Sequence, residues 1–301
     1  MQMDAVENLQ IKADKKVDLK SCDPGWAPSW VKDLTEKKGK EAAKQQAQEI
    51  VEGNREKLVG VQELFWANNT FSMLIILQGM DAAGKDGVIK HVMSGVNPQG
   101  CEVHGFKTPT EEEVNHDFLW RYVKVLPERG HIGIFNRSYY EDVLIVKVRP
   151  EVLEEQKLPP GSRGKSFWNA RYNDINMLEQ HLVNNGTVVL KFFLNISQEK
   201  QKERLLKRLE DPDKQWKFSL TDLSEREKWK DYMEAYEDVL NQTNTEWAPW
   251  YVIPADKKWV CHAAISEIIV AQVEALKLSY PVLTQEQSAE LEKAKAELKK
   301  E

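Results

Sequence analysis

Apolar residues in this chain fall into short, dense runs separated by longer segments where they recur every three or four positions. The dense runs at 73–78, 131–135, 187–194 and Trp250–Ile253 have the length and composition of strands buried on both faces. A shorter run near 101–106 completes the strand set. Between them, helical spacing predicts helices at 85–94, 111–122 and 167–184, and a final helix pair framing the Trp250–Ile253 strand. Strands that alternate with helices imply parallel pairing and right-handed crossovers. Ahead of this alternation the chain is polar with helical tendency, apart from the irregular Trp26-Ala-Pro-Ser-Trp30. The stretch from Lys32 to Asn68 reads as one or two helices packing across the sheet edge. Pro159 to Lys165 breaks the apolar pattern as an exposed loop. Interleaved Glu and Lys in Gln285–Glu301 suit a solvated or interfacial helix. The expected organisation is an N-terminal helical extension at 1–70, a core at 71–280 with a lid near 204–222, and a C-terminal helix at 281–301.

The junction between the first dense run and the next helix carries the clearest chemistry. Met73-Leu-Ile-Ile-Leu-Gln leads into Gly79-Met-Asp81-Ala82-Ala83-Gly84-Lys85-Asp86-Gly87, a Gly-x-x-x-x-Gly-Lys phosphate loop between strand and helix. Glycines let successive N–H groups and the helix N-terminus point at a phosphate, and the Lys85 ammonium adds a mobile positive charge. Two departures matter. The hydroxyl residue that ordinarily follows the lysine and holds Mg²⁺ is Asp86. Asp81 lies inside the loop, where it would repel phosphate unless a divalent cation lay between. A metal-bridged site follows, with Asp81 the leading ligand and Asp86 the alternative.

Two further segments bear on phosphate. The strand ending at Phe135 runs into Asn136-Arg137-Ser-Tyr-Tyr-Glu141-Asp142, at the place where open α/β sheets assemble their sites. Asn136 stands where an acid ordinarily orders Mg²⁺, so Glu141 or Asp142 is expected to supply the carboxylate. Arg137 there can grip two phosphate oxygens and stabilise transferring charge. Farther on, Arg204 and Arg208 lie four apart on one helical face and would repel unless an anion sat between them. Asp211-Pro212 ends that helix and opens a polar loop with Lys214 and Lys217. A capping-box pattern, Ser224-Glu-Arg-Glu227, marks the resumption of helix. The segment reads as a cationic lid.

Gly79–Gly87, Phe135–Asp142 and Asp211-Pro-Asp-Lys-Gln-Trp-Lys-Phe-Ser219, joined by Asn97–Gly100, His116–Arg121 and Val252–Trp259, together resemble the polyphosphate kinase 2 family, from about Asp18 to Leu276. The resemblance implies a P-loop kinase-like α/β fold, a parallel sheet sandwiched by helices with a helical lid. It implies reversible phosphoryl transfer from inorganic polyphosphate to nucleotides, with Mg²⁺ or Mn²⁺ required. Asn136 before Arg-Ser-Tyr-Tyr-Glu-Asp is similar to class III members, which accept both AMP and ADP; guanine nucleotides (GMP, GDP, GTP) are expected alongside adenine ones. By the same similarity Asp81 and Lys85 act in the loop, Arg137 contacts phosphate, Glu141 lies close to metal or nucleotide, and Arg204 and Arg208 correspond to lid-helix arginines, with Lys214 and Lys217 in or beside the lid. A homo-oligomer, dimer or tetramer, is a family expectation.

Composition narrows the alternatives. The 301 residues carry a formal net charge of −6 with pI near 5.7, so a polyanion needs a local basic track rather than a basic protein. A nucleic-acid-binding ATPase would show a broad basic footprint. A GTP-dependent switch would carry a guanine-reading Asn-Lys-x-Asp segment, and none occurs. An ordinary ATP-dependent nucleoside monophosphate kinase shares the loop and lid logic and differs in its donor. No apolar run approaches a membrane span, Met1 to Lys16 is polar rather than signal-like, and Cys22, Cys101 and Cys261 lack metal-ligand spacing. A soluble cytoplasmic enzyme is expected. His91, His116 and His131 show no nucleophile–base arrangement. Phe106, Trp120 and Trp168 are candidates to stack a nucleobase.

Overall fold

The computed structural model describes residues 4–13 and 15–300; the first three residues of the expected N-terminal extension, Asp14 and Glu301 lie outside the described residues. Five parallel strands form one sheet: β1 (Ser72–Gln78), β2 (Cys101–Gly105), β3 (Ile132–Asn136), β4 (Thr187–Asn195) and β5 (Trp250–Pro254), in the order β2-β3-β1-β4-β5. Every residue of β1 is buried, as its unbroken apolar run requires for a central strand covered on both faces. Helices Lys85–Val92 and Lys258–Glu274 pack on each other in one layer, and helices Lys165–Asn184 and Trp229–Thr243 pack together in another. The expected parallel sheet sandwiched by helices is therefore the observed architecture.

Strand order places the site. From β1 the chain moves outward to β2, returns to β3 and then crosses to β4 on the far side of β1. Ligands of such sheets bind beyond the carboxyl ends of the strands where this progress reverses. In register, Leu77 of β1 lies beside Asn136 of β3, and Gln78 beside Phe193 of β4. The phosphate loop and the Asn136–Asp142 segment thus leave the sheet side by side.

Two local expectations change. The helix expected over 111–122 is two single turns, Glu111–Val114 and Trp120–Val123. Thr110 and Glu113 form a capping box for the first, while Asp117 Oδ1 accepts from the Leu119 N–H at 2.9 Å and turns the chain before the second. The helix after the lid starts at Thr221, so Ser224 lies within it and does not cap it; its hydroxyl donates to Thr221 O and accepts from Arg149. The stretch read as one or two helices is two, Ser29–Lys38 and Lys40–Asn68; the long one packs along Lys258–Glu274, and its Gln62 and Trp66 lie against Gly100 and Gly130, just ahead of β2 and β3. Residues near the N-terminus guard the β5 edge: Gln10 bridges Tyr251 antiparallel, and the Ile11 N–H donates to Trp250 O at 2.8 Å.

Candidate active site

The phosphate loop leaves β1 at Gly79 with φ +148°. A Cβ there would lie 2.9 Å from Leu194 O and 3.1 Å from Leu194 Cβ, so only glycine allows the loop to pass this close to β4. Ala82 at φ +62° and Gly84 at φ +114° complete the curl into helix Lys85–Val92. Lys85 is buried, and its ammonium lies within the loop it follows, donating to Gly79 O at 2.6 Å and Met80 O at 3.4 Å. Burial holds its pKa below the ordinary lysine value and Arg137 pushes the same way, against Asp81, Glu141 and Asp86.

At the end of β3, the Arg137 N–H donates to Leu77 O at 3.0 Å, and the residue adopts φ +66°. This left-handed conformation is costly for a side chain as large as arginine. It swings the guanidinium back over the loop, where Nη2 donates to Asp81 Oδ1 at 2.6 Å. Glu141 foremost, and Asp81 after it, hold Arg137 above the ordinary arginine pKa despite burial. Gln78 donates to Glu141 Oε1 at 2.9 Å and accepts from the Ser138 hydroxyl and N–H at 3.2 Å, tying β1 to the turn that carries Glu141. Asp142 is turned away from Arg137: its carboxylate accepts from Tyr122 at 3.0 Å and Gln156 at 2.8 Å. Burial pushes its carboxyl up to about 6 against the pull of Arg171 and these two donors. Of the two acids expected to replace the missing strand-end carboxylate, Glu141 is the one that acts on Arg137.

Asn136 and Asp86 meet, with Nδ2 donating to Oδ1 at 2.9 Å, and the Lys217 ammonium lies 3.5 Å from Asp86 Oδ2. Burial would raise the Asp86 pKa, but the Asn136 bond, Lys217 and Lys85 outweigh it and hold the carboxyl below its ordinary value. The lid therefore touches the loop through Lys217.

Arg204 and Arg208 do not share an anion site, because their guanidiniums go to different acceptors. Arg204 donates to Ala82 O (2.9 Å), Ala83 O (2.8 Å), Ala255 O (2.6 Å) and Asp256 O (3.3 Å), cross-bracing the phosphate loop to the segment after β5. Arg208 donates to Asp222 Oδ2 at 3.1 Å and Lys217 O at 3.3 Å, inside the lid. Burial and the charge of Asp81 raise the Asp222 pKa despite Arg208, which puts this lid carboxylate within electrostatic reach of the loop. Lys214 pairs with Asp211 on the exposed side.

Mg²⁺ keeps several waters and is held by one or two carboxylates together with substrate phosphates. Asp81 and Glu141, two hard oxygen donors that both act on Arg137, fit that requirement. Among the described residues no three His, Cys, Asp or Glu side chains are arranged to hold a metal by themselves. The three histidines considered above lie in ring contacts: His91 on His262 (4.9 Å), His116 on Trp120 (3.8 Å) and His131 on Trp66 (5.6 Å). Phe106 packs on Tyr122 and Phe135 beneath the Arg121 guanidinium, and Trp168 packs on Phe167.

Sequence reasoning missed Gln78, Gln201, Glu179 and Lys191. Gln201 donates to Asp81 O at 3.0 Å and accepts from Arg226. Lys191 had a visible signal, a lone cation inside the apolar run of β4, which burial obliges to find a partner.

Known proteins resemble this chain over most of its length. The family model described as polyphosphate kinase 2 (PPK2) matches residues 40–280. The ADP-polyphosphate phosphotransferase of Rhodopseudomonas palustris is 50% identical over 259 residues, spanning 86% of this chain and 90% of that one. The AMP/ADP-polyphosphate phosphotransferase of Meiothermus ruber is 40% identical over 276 residues, 92% of this chain and 96% of that one. The crystal structure of polyphosphate kinase 2 from Arthrobacter aurescens TC1 superimposes with a TM-score of 0.79 at 36% identity, covering 96% of each chain.

Proposed function

The chain belongs to the polyphosphate kinase 2 family, and from that premise we propose that it moves the terminal phosphate of inorganic polyphosphate onto AMP and ADP, reversibly and in line. An acceptor phosphate oxygen forms the new P–O bond as the bond to the bridging oxygen breaks, and the shortened chain leaves with that electron pair. What supports this reading most is the meeting of Arg137 and Lys85 at one phosphate loop, each held by oxygen acceptors that a phosphate can replace. Lys85 and the loop N–H groups of 79–87 take the donor phosphate, and Arg137 offsets the charge of donor and acceptor together. Asp81 and Glu141 would hold a divalent cation, Mg²⁺ or Mn²⁺, which supplies neutralisation between the phosphates when bound. Lys217 closes the lid over Asp86, with Arg208 and Lys214 on the same segment, and Arg204 holds the loop in shape.

A range covering both mono- and diphosphates is supported by Asn136 and by the 40%-identical relative named for both acceptors, whereas the 50%-identical relative is named for ADP. Guanine nucleotides as further acceptors, a homo-oligomeric state and a cytoplasmic setting belong to the same proposal. Three free thiols suit a reducing compartment, and no described helix is long and apolar enough to cross a membrane.

The test is nucleotide formation from purified protein, Mg²⁺ and long-chain polyphosphate, with AMP, ADP, GMP and GDP supplied separately and no ATP. Di- and triphosphate products establish the proposed reaction. Activity only once ATP is supplied moves the protein to the nucleoside monophosphate kinases. Lys85→Ala and Arg137→Ala are expected to cut turnover by about 100-fold or more with folding intact, and near-parental rates in both would remove the site assignment.

A further inference from the structure

Beneath the Asn136–Asp142 turn lies a closed polar network that none of the phosphate chemistry uses. Glu179, on helix Lys165–Asn184, and Lys191, on β4, are both fully buried and paired at 2.7 Å. Glu179 Oε1 accepts from the hydroxyls of Tyr139 (2.9 Å) and Tyr140 (2.7 Å). The Lys191 ammonium directs its three N–H bonds to Glu179 Oε2, Thr243 O (2.6 Å) and Tyr140 Oη (3.1 Å). Thr243 in turn accepts from the Trp250 indole N–H at 2.9 Å. Five segments of the fold meet here, and every charged atom has its partners.

A buried ion pair is a poor source of stability, because desolvating both charges offsets most of their attraction. Its retention in a core needs another reason, and its position supplies one. Tyr139 and Tyr140 are the second and third residues after Arg137, which is held at φ +66°. A left-handed arginine persists only where its surroundings over-determine it. Ahead of Arg137 the chain is fixed by the sheet; behind it, the grip of Glu179 on both tyrosine hydroxyls fixes the turn.

We infer that Glu179 is a positioning residue for phosphoryl transfer: by clamping the Tyr139 and Tyr140 hydroxyls it holds the turn that aims Arg137 at the phosphate loop, with Lys191 as its counter-charge. The inference rests on the proposed role of Arg137. Freed of the clamp, the turn relaxes toward an ordinary backbone conformation and carries the guanidinium off the loop. Misplacement of about 1 Å in a reacting site costs about 100-fold in rate.

The test is a double-mutant cycle read in kcat and KM, with thermal unfolding recorded for each protein. Tyr139→Phe/Tyr140→Phe keeps both rings and removes only the clamp, so it serves even if Glu179→Gln, which leaves the Lys191 charge poorly matched, fails to fold. Expected are folded tyrosine variants with kcat down by about 10- to 100-fold, and no further loss when the pair is combined with Arg137→Lys. Adding Lys191→Met to Glu179→Gln should restore folding and most of kcat, since a neutral amide oxygen still accepts from both tyrosines. If Arg137→Lys lowers kcat while the tyrosine pair does not, or if the two losses multiply, the positioning role is wrong and the role of Arg137 stands. An Arg137→Lys enzyme with parental kcat overturns both.

Discussion

His262 gives the sharpest pH test of the site's surroundings. It lies on helix Lys258–Glu274, partly buried, with its ring stacked on His91 of the phosphate-loop helix at 4.9 Å. A Cβ on Gly87 would come within 3.5 Å of its Nε2. Burial, then His91, Lys258 of its own helix and Arg204 of helix Gln198–Glu210 push its pKa down to about 4. The folded protein therefore binds fewer protons than the unfolded chain between about pH 4 and 6.5, and linkage makes this contribution fall as the solution is acidified through that window. A drop from the ordinary 6.5 to about 4 is worth about 3 kcal/mol in full, of which about 2 kcal/mol is already lost at pH 5. His262→Gln stays neutral throughout and escapes that loss. Spread over the unfolding entropy of a chain this long, about 2 kcal/mol moves Tm by about 3 °C. Melting curves of both proteins from pH 7 to pH 4.5 should start parallel and diverge below pH 6.5, with the parent falling faster. Asp142, raised to about 6, contributes the opposite slope, but it is present in both proteins and cancels in the difference. Parallel curves across the whole range would refute the argument that His262 is held neutral by burial among cations.

Three other substitutions separate the parts of the site. Gly79→Ala drives a Cβ into Leu194 O at 2.9 Å and should destabilise by about 1–3 kcal/mol while abolishing turnover; a fully active variant would show that the loop can leave β1 by another path. Arg204→Lys replaces a fork with a point charge that cannot span four carbonyls, so chemical denaturation should show a loss of about 1–3 kcal/mol, and unchanged stability would refute the brace. Lys217→Ala breaks an exposed pair and should change stability by less than about 1 kcal/mol while raising KM for polyphosphate in a salt-dependent way, visible in initial rates at two ionic strengths; an unaltered KM would remove Lys217 from the lid contact.

The sheet was legible because parallel strands buried on both faces leave dense apolar runs, and β1 is such a run without interruption. The phosphate loop was legible because its backbone shape demands glycine at Gly79 and Gly84. Less visible were features set by tertiary partners. Nothing in the spacing of Arg204 and Arg208 says that one faces loop carbonyls and the other a lid carboxylate. The choice between Glu141 and Asp142 depended on the direction of a short turn, and that direction depends on tyrosines anchored by Glu179, forty residues from Tyr139 in sequence. The break at Asp117 was readable in principle, as an Asx turn competing with the helix.

The cations of the site share one property that bears on how a chain of net charge −6 can take a polyanion. Lys85 is held by loop carbonyls, Arg137 by Asp81, Lys217 by Asp86 and Arg208 by Asp222. Each pairing keeps a cation satisfied, and under the proposed reading each weakens when phosphate arrives, so affinity is the difference between two sets of contacts rather than the sum of one. Exchange of this kind favours ligands that bring many charges at once, because a single phosphate cannot repay several broken pairs. The carboxylates released by the exchange are the oxygens suited to a divalent cation, so under the proposed reading phosphate binding at Arg137 and cation binding at Asp81 reinforce each other. That coupling assigns Asp81 two partners in turn, and it explains physically why an acid inside a phosphate loop need not repel the phosphate.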